Sequence, residues 1–479
     1  MIDDSLRGPA QRGSGTRLTA LIVACSLFMQ GLDGTIIATA LPAMSETLGA
    51  SPADMSLALI AYLLSLTICI PASGWIADRF GACTVFRAAI VLFTLASMLC
   101  GRADSLAFLA AARALQGAGG AMMLPIGRLV LLRRAPRHEY VTAMAWLSTP
   151  AMLGPVIGPL LGGIITTYLD WRWIFYINLP IGLLGIALVT LFLHDDEPPI
   201  RTRLDFVGLL LCAGTVGCLT VALELNATRS GGHGFAAIML ASSALFAVAY
   251  FAHARTHRAP LLDLSLFEDT TFRVSMLAGI PFRLGAGAVP FLLPMMLQLG
   301  LGMSPLNSGI ITGFSSAGAL LMMPVLLVAL RRFGFRLTLL VNGALCAVSL
   351  AATAAFRPSW PVALICTVLV AAGFFRSVQF TAFNTIAYAD IPEGRNSAAT
   401  SLQSTLQQLS LTLGVSAGAA ALGASMAIGG HALPTLADFS AAFLFVGAVS
   451  LAACPLLLPL HRTAGAEFSG QTVVPAREV

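Results

Sequence analysis

The stretch LDGTIIATALP, from Leu32 to Pro42, places one carboxylate, that of Asp33, inside an apolar run that extends from Leu18 to Ala40. In a helix with a rise of about 1.5 Å per residue, Asp33 lies roughly 22 Å from the Leu18 end and roughly 10 Å from the other. An acidic side chain at this depth in a membrane is costly and usually marks an ion, proton or substrate pathway. The alternative is an Asp that pairs with an Arg only to fasten two helices.

The composition predicts an all-α polytopic membrane protein. Of the 479 residues, 57% are hydrophobic and 10% are charged, and the mean hydropathy is +0.86. In an ordinary soluble protein about a quarter of the residues are charged, so that class is excluded. Fourteen apolar runs are long enough to cross a lipid bilayer. They are approximately residues 18–40, 55–77, 84–101, 106–131, 140–168, 174–193, 205–224, 235–252, 273–299, 307–330, 337–356, 360–389, 398–428 and 437–460.

The distribution of arginine predicts the orientation. The chain has 27 basic residues and no Lys, and cytoplasmic loops are the ones enriched in basic residues. With the N-terminus in the cytoplasm, most arginines fall in inner segments. The outer loops then collect only Arg102, Arg172, Arg229 and Arg357. We therefore predict that both termini are cytoplasmic, in the plasma (inner) membrane of a bacterium.

Several functional classes are excluded or disfavoured by residue type. Without Lys, a phosphate-binding GxxxxGK[ST] loop cannot exist, and no stretch suggests a nucleotide-binding domain, a nucleic-acid partner or an enzyme. The nine cysteines form no CxxC pair, and the seven histidines fall in predicted loops or at span ends, so we expect no metal site. Uphill transport by this chain would therefore depend on an ion gradient, such as a proton gradient, and on no bound cofactor.

A short internal repeat predicts two similar bundles. Arg-Phe-Gly occurs at residues 79–81 and again at 332–334. Each copy follows the second span of a six-span block if spans seven and eight are an insertion. Two related bundles with a substrate site at their interface are a known transporter plan. The predicted organisation is a tail (1–17), a first bundle (18–194), two inserted helices (205–252), a connection (253–272), a second bundle (273–460) and a tail (461–479).

Two motifs in the first bundle resemble those of the major facilitator superfamily. The sequence GWIADRFG, from Gly74 to Gly81, resembles its cytoplasmic loop signature, and the resemblance implies that the loop is an inner latch. The residues of this predicted latch are Gly74, Asp78, Arg79 and Gly81. Arg113, in RALQGAGG, resembles an intramembrane Arg of the same superfamily. It lies roughly 10 Å below the outer boundary, at the predicted depth of Asp33, and an acidic partner or a water-filled cavity would relieve its cost.

Span five carries the most specific pattern, LGPVIGPLLGG, from Leu153 to Gly163. Glycines at every fourth position form a bare stripe on which another backbone can pack, and each proline removes a helix hydrogen bond. The pattern resembles a motif of proton-driven exporters in the superfamily, and we interpret it as the packing of an outer gate. The residues of this predicted gate are Gly154, Pro155, Gly158, Pro159, Gly162 and Gly163.

The sequence DWRWIFYINLPIG, from Asp170 to Gly182, continues the resemblance. Together with LDGTIIATALP and the two inserted spans, it is similar to the fourteen-helix drug:proton antiporter branch, the EmrB/QacA subfamily. One departure is Ala38, where that branch often has Asn. The resemblance extends from about Leu18 to Leu460 and implies a major facilitator fold of two six-helix bundles plus two inserted helices.

Polar groups inside other spans are candidates for a substrate cavity. Two of them, Arg283 and Arg376, are cations in the second bundle without an obvious carboxylate, which suggests that neutral or anionic substrates should be tested as well as cationic ones. The alternative is that these groups only form hydrogen bonds between helices. The candidates are Gln30, Tyr62, Arg283, Gln298, Arg376, Gln379, Asn384, Gln403 and Gln407.

The sequence thus predicts a proton-coupled exporter of amphipathic small molecules that works by alternating access. Asp33 would carry the proton and Arg113 would tune its affinity. Two other functions stay open: a proton-linked metabolite transporter or uptake symporter, and a non-transporting receptor with the same fold. The expected partners are the lipid bilayer, a small-molecule substrate and protons. A periplasmic accessory protein is left open by the sequence.

Overall fold

The computed structural model describes residues 9–52, 54–134, 153–154, 157–194, 205–228, 233–257, 260–392, 395–430 and 432–466, and within these ranges every regular element is a helix. The first half contains α1 (Pro9–Leu48), α2 (Ser56–Cys69), α3 (Ser73–Phe80), α4 (Ala82–Gly101), α5 (Leu106–Arg134), α6 (Ile157–Tyr168), α7 (Trp173–Tyr176) and α8 (Asn178–Phe192). The remainder contains α9 (Phe206–Thr228), α10 (His233–Thr256), α11 (Thr270–Met295), α12 (Pro305–Leu320), α13 (Met322–Thr353), α14 (Val362–Ile386), α15 (Asn396–Gly429), α16 (Leu436–Leu451) and α17 (Ala453–Leu456). Short 3₁₀ turns cover Ile70–Ala72 and Leu264–Glu268, and a π-helical turn covers Met296–Gly300.

Twelve helical segments of the described residues are long and apolar enough to cross a membrane. Of predicted span five, the described residues include 153–154 and α6, and predicted span ten covers the 16-residue α12 and the first part of α13. Many large apolar side chains point away from the protein interior. Leu183, Leu191, Leu245 and Val248 are each more than 60% exposed. Such a surface suits lipid and would be a liability in water.

Helix α1 is longer than the apolar run that predicts it. It begins at Pro9 and ends at Leu48, and it passes through Pro42 without ending. The residues after Ala40 include good helix formers such as Met44 and Glu46, so the helix continues where the apolar run stops. Asp33 is consequently far from both helix ends, which suits a residue held between packed neighbours.

The two Arg-Phe-Gly copies adopt the same local structure. Gly81 has φ 89° and separates α3 from α4, and Gly334 has φ 72° and forms a kink within α13. Positive φ angles of this kind favour glycine, which has no Cβ to clash with the backbone. In both halves the helix that precedes this turn is also interrupted, after Cys69 in one and after Leu320 in the other. The structure therefore has the same two breaks in each half.

The helices pack into two groups, and only some helices of each group contact the other group. In the first group α1 packs against α5 and α8, and α4 packs against α5 and α8. In the second group α11 packs against α15 and α16, and α14 packs against α12 and α13. Between the groups α2 contacts α15, and α1 contacts α11 and α12. The inserted pair, α9 and α10, packs together, and α9 reaches both α2 and α15.

Candidate functional site

Asp33 and Arg113 form a buried ion pair in the first bundle. Arg113 Nη1 donates to Asp33 Oδ2 at 2.6 Å, and the two side chains are 0% and 1% exposed. The Nε of Arg113 donates to the Ala58 carbonyl at 3.2 Å. The sequence predicts that these two residues lie at the same depth, and the structure places them in direct contact.

Two amides to which the sequence assigns no role complete this site. Gln116 Nε2 and Asn178 Nδ2 each donate to Asp33 Oδ1 at 2.8 Å. Gln116 Oε1 also accepts from Arg113 Nη1 at 2.7 Å, and Asn178 Nδ2 donates to Ser97 Oγ at 3.0 Å. Both amides are fully buried. In the sequence, each of them is visible only as an amide side chain inside an apolar span. Gln116 also lies one turn after Arg113 on α5, which places the two side chains on the same helix face.

Aromatic rings enclose the guanidinium of Arg113. Its Cζ lies 4.2 Å from the centre of the Tyr62 ring and 5.9 Å from that of Phe175. These distances suit a cation–π contact, which is strongest when the cation is shielded from water. Asp33, Arg113, Gln116, Asn178 and Tyr62 are hereafter called the Asp33 network. Removing one charge of such a buried pair leaves the other buried without a counter-charge, which is strongly destabilising.

We expect Asn178→Leu to destabilise the protein by about 1–3 kcal/mol, because it removes one of the three donors to the buried carboxylate of Asp33. The measurement is thermal unfolding of the purified variant in detergent, beside wild type. Asn307→Leu is the matched control, since Asn307 is exposed near the start of α12. An unchanged melting temperature for Asn178→Leu would mean that this hydrogen bond contributes nothing to stability.

The glycine stripe packs against α1, the helix that holds Asp33. A side chain at Gly154 would come within 2.7 Å of the Leu32 amide nitrogen and the Phe28 carbonyl oxygen. A side chain at Gly158 would collide with the Thr35 hydroxyl, and one at Gly162 would meet the Ile36 carbonyl oxygen at 2.5 Å. The stripe therefore lies inside the first bundle. The sequence predicts close packing here and does not identify the partner.

A different face of α6 contacts the second bundle. A side chain at Gly309 of α12 would collide with the Pro159 carbonyl and come within 3.1 Å of Gly163 Cα. Nearby, Gln298 Nε2 donates to the Thr39 carbonyl at 2.9 Å, which also joins the two bundles. These contacts lie on the side that the arginine distribution predicts to be the outer one. Pro155 lies outside the described residues, and the gating role of the motif stays a prediction.

The predicted inner latch lies at the turn between α3 and α4. Gly81 supplies the positive φ angle that ends α3. Gly74 and Arg79 are exposed, and Asp78 is half-buried in the last turn of α3. A side chain at Gly74 would meet no atom within 4 Å, so the space around it is open. The latching role of these residues stays a prediction.

The remaining cavity candidates fall into separate groups. In the first bundle Gln30 Nε2 donates to the Gly120 carbonyl at 3.1 Å. In the second, Gln379 is buried and ties α14 to α13, because it donates to the Leu339 carbonyl at 3.0 Å and accepts from Asn342 at 2.8 Å. Gln407 is half-buried on α15. Gln379 thus forms hydrogen bonds between helices. That Gln30 and Gln407 line a substrate cavity stays a prediction.

The structure brings together three other candidates in the second bundle. Arg283 Nη2 donates to Asn384 Oδ1 at 3.2 Å, and Gln403 Nε2 donates to the same oxygen at 3.0 Å. Arg376 lies elsewhere on α14 and donates to Ser315 Oγ at 3.1 Å. In the part of the chain that the structure describes, neither arginine forms an ion pair with a carboxylate. The cations of the second bundle thus differ from Arg113, which has Asp33.

A cluster that the sequence did not predict joins the ends of the inserted helices. Potential metal-ligand atoms of Asp205, His253 and His257 lie within 4.8 Å of one another. Burial alone would raise the pKa of Asp205, but hydrogen bonds from the Gly208 amide, His253 and the Leu261 amide outweigh it and hold that pKa below its ordinary value. With three donors already on the carboxylate, we interpret this cluster as a hydrogen-bonded tie between α9 and α10.

Comparison with known proteins identifies relatives along most of the chain. A protein of Cronobacter sakazakii named "Putative multidrug resistance protein MdtD" is 40% identical over 405 residues, which cover 84% of this chain and 85% of the relative. A protein of the same name from Enterobacter sp. is 39% identical over 407 residues, with 84% and 85% covered. One from Salmonella heidelberg is 38% identical over 409 residues, with 85% and 87% covered.

The fold is also similar to solved transporter structures. An auto-inhibited POT family peptide transporter superposes with a TM-score of 0.68 at 15% identity, covering 97% of this chain and 99% of that one. The nucleoside transporter NupG superposes with a TM-score of 0.65 at 13% identity, covering 92% and 99%. At this level of identity the likeness concerns the fold alone. The sequence profile of the Major Facilitator Superfamily matches residues 23–415, and the chain therefore belongs to the major facilitator superfamily of membrane transporters.

Proposed function

We propose that this transporter exports amphipathic small molecules of the multidrug type in exchange for protons. The observation that carries the proposal is the Asp33 network, in which a buried carboxylate is held by three donors inside the first bundle. Intramembrane carboxylates of this kind serve as proton relays in pumps and transporters. The relatives named as multidrug resistance proteins support the substrate class.

The proposed cycle couples the charge of Asp33 to the packing of α1. Protonation of Asp33 removes the negative charge with which Arg113 is paired and turns one acceptor oxygen into a hydroxyl donor. The ion pair that holds the network in its present arrangement is then lost, and α1 and α5 are free to separate. Because α1 also packs against α6, α11 and α12, a shift of α1 reaches the interface between the bundles. Alternation of this interface is the step that would expose substrate to one side and then to the other.

We further propose that the protein belongs to the fourteen-helix EmrB/QacA branch, in a bacterial plasma membrane with both termini in the cytoplasm. Support comes from the α9–α10 pair between the two bundles and from α6 and α12 as the two shorter helices that would complete the count. The arginine asymmetry supports the orientation.

Single-cysteine labelling in a variant without the nine native cysteines tests this topology. Fourteen crossings predict that a membrane-impermeant thiol reagent reaches outer positions only from outside and inner positions only in inverted vesicles. The outer positions are Ser105, Leu169, Gly234 and Ser304, and the inner ones are Glu268 and Arg331, all of them exposed. Labelling of Gly234→Cys from the inner side alone would rule out a transmembrane α9–α10 pair.

Transport in inverted vesicles tests the function itself. A resistance panel in an efflux-deficient host would first identify a substrate, which is then added to inverted vesicles with an acidic interior. A proton-coupled exporter accumulates it inside these vesicles, and dissipation of the pH gradient abolishes the accumulation. An uptake symporter would drive the substrate out under the same gradient, and a receptor would produce no saturable flux above that of an empty vesicle.

A further inference from the structure

Arg283 is a buried cation that has no carboxylate partner among the described residues of its bundle. Its side chain is 0% exposed in the middle of α11. Neither the segment from residue 270 to residue 389 nor that from 395 to 437 contains an Asp or Glu. The carboxylate of Asp438 already accepts hydrogen bonds from Thr435 and Ser425. Asp390 is exposed, and Glu393 lies outside the described residues. A desolvated ion without a counter-charge is the costly arrangement that proteins normally avoid.

The hydrogen-bonding capacity of this guanidinium is also only partly used. Within the described residues, Arg283 Nε and Nη1 are buried and have no hydrogen-bond partner, whereas Nη2 donates to Asn384. These two nitrogens carry three N–H donors, which suit the oxygens of an anion. Gln403 Oε1 is likewise buried without a partner, so the same cluster leaves an acceptor for a hydroxyl or N–H group.

The surroundings of Arg283 are shaped around the guanidinium. A side chain at Gly279, one turn earlier on α11, would lie 2.8 Å from Arg283 Nη1, so the glycine provides the room that the charged group occupies. The rings of Phe380 and Phe383 have centres 5.9 Å and 6.0 Å from Arg283 Cζ. These rings supply an apolar, aromatic wall beside the unpaired charge.

The position of this cluster connects it with the transport pathway. Arg283 lies on α11, which contacts α1, and Gln403 lies on α15, which contacts α2. Both helices therefore belong to the part of the second bundle that meets the first. Substrate sites of such transporters lie near the membrane midplane at the interface between the two halves.

We infer that Arg283, Asn384 and Gln403 form a subsite for the anionic group of an organic anion, so that aromatic carboxylates are among the molecules this transporter binds. That the bound anion is an exported substrate rests on the proposed function. Binding of the anion itself requires neither proton coupling nor flux. The contrast between the two bundles supports it. The first bundle provides a carboxylate for its buried Arg, and the second leaves that role to a ligand.

Equilibrium binding to the purified full-length protein in lipid nanodiscs tests the inference. The probes are 2-naphthoate and 2-naphthamide, which share the ring system and differ in charge at pH 7.5. We expect wild type to bind naphthoate at least about tenfold more tightly than naphthamide, since hydrogen bonds between charged groups are the strong ones. Arg283→Gln should lose this preference by weakening naphthoate alone, whereas Arg283→Lys should keep part of it.

Two further variants separate the subsite from general effects on the protein. Gly279→Ala displaces the guanidinium without removing its charge and should weaken naphthoate binding while leaving naphthamide unchanged. It also serves as the second test if Arg283→Gln fails to fold. Arg332→Gln removes the same charge from an exposed position on the inner half of α13 and should change neither affinity.

The outcomes distinguish this inference from the proposed function. Equal binding of both probes to wild type, no binding of naphthoate, or an unchanged preference in both Arg283→Gln and Gly279→Ala would overturn the anion subsite. Gradient-driven accumulation of naphthamide in inverted vesicles together with any of these results would leave the exporter standing without the subsite. Tight, Arg283-dependent binding of naphthoate without uphill flux of any substrate would support the subsite and contradict the exporter.

Discussion

Replacement of Asp33 by Asn should abolish uphill, proton-driven efflux while leaving a measurable capacity to bind substrate. The substitution keeps the shape of the side chain and fixes its charge at zero, so the site can no longer alternate between two protonation states. For scale, a membrane potential of about 100 mV supplies roughly 2.3 kcal/mol per proton, and a favourable unit of pH difference adds about 1.4 kcal/mol. Together these could sustain a gradient of several hundred-fold for a neutral substrate exchanged one for one.

The same substitution also strands a buried cation, and this effect must be separated from the loss of coupling. Arg113 has Asp33 as its ion-pair partner and is fully buried, so Asp33→Asn should destabilise the protein by about 3–5 kcal/mol. The double variant Asp33→Asn with Arg113→Gln removes both charges. We expect it to regain much of the stability, as measured by thermal unfolding, and still to show no uphill transport.

A matched carboxylate serves as the control. Glu46 lies on the same helix, is exposed near its end, and Glu46→Gln should pump substrate at the wild-type rate. The assay is accumulation in proteoliposomes with an imposed pH gradient and simultaneous measurement of proton counterflow. If either the single or the double variant at position 33 pumps at the native rate with normal counterflow, Asp33 is not the proton carrier, and an ion pair that only fastens two helices becomes the better explanation.

The Asp33 network shows which parts of the site the sequence could predict. Charged residues in apolar spans are rare, so Asp33 and Arg113 stand out, and the rise per residue is enough to match their depths. Gln116 and Asn178 are uncharged and differ little from amides that only join helices. Their proximity to Asp33 depends on how α5 and α8 rotate against α1, which no local pattern specifies.

The fold, like the site, could be predicted from the sequence only in part. The Arg-Phe-Gly repeat predicted two related halves, and the positive φ angles of Gly81 and Gly334 give this repeat a common structure. The end of α1 could not be predicted from hydropathy, because the residues after Ala40 favour helix without being apolar throughout. The glycine stripe predicted a close backbone contact, but the identity of the contacting helix is a tertiary property that spacing alone leaves undetermined.

Gly158→Leu should reduce efflux about tenfold or more and lower the stability of the protein by about 1–3 kcal/mol, which is the usual cost of overpacking a filled core. A side chain at this position would collide with the Thr35 hydroxyl and come within 3.2 Å of the Ile36 amide nitrogen. Thr35 and Ile36 lie on α1 within one turn of Asp33. The substitution should therefore displace α1 from α6 and disturb the three hydrogen bonds that hold the carboxylate.

Two comparisons isolate this steric cause from other effects of a larger side chain. Gly217→Leu makes the same change on α9 at a position where an added side chain meets no atom within 4 Å, and it should leave efflux and melting temperature unchanged. Gly158→Ala should be milder than Gly158→Leu, and the pair Gly158→Ala with Thr35→Ala should recover part of the lost stability, because the nearest colliding atom is the Thr35 hydroxyl oxygen. Wild-type efflux from a well-expressed Gly158→Leu variant would contradict close packing of α6 on α1, and failure of the Thr35→Ala rescue would place the cost at the α1 backbone instead.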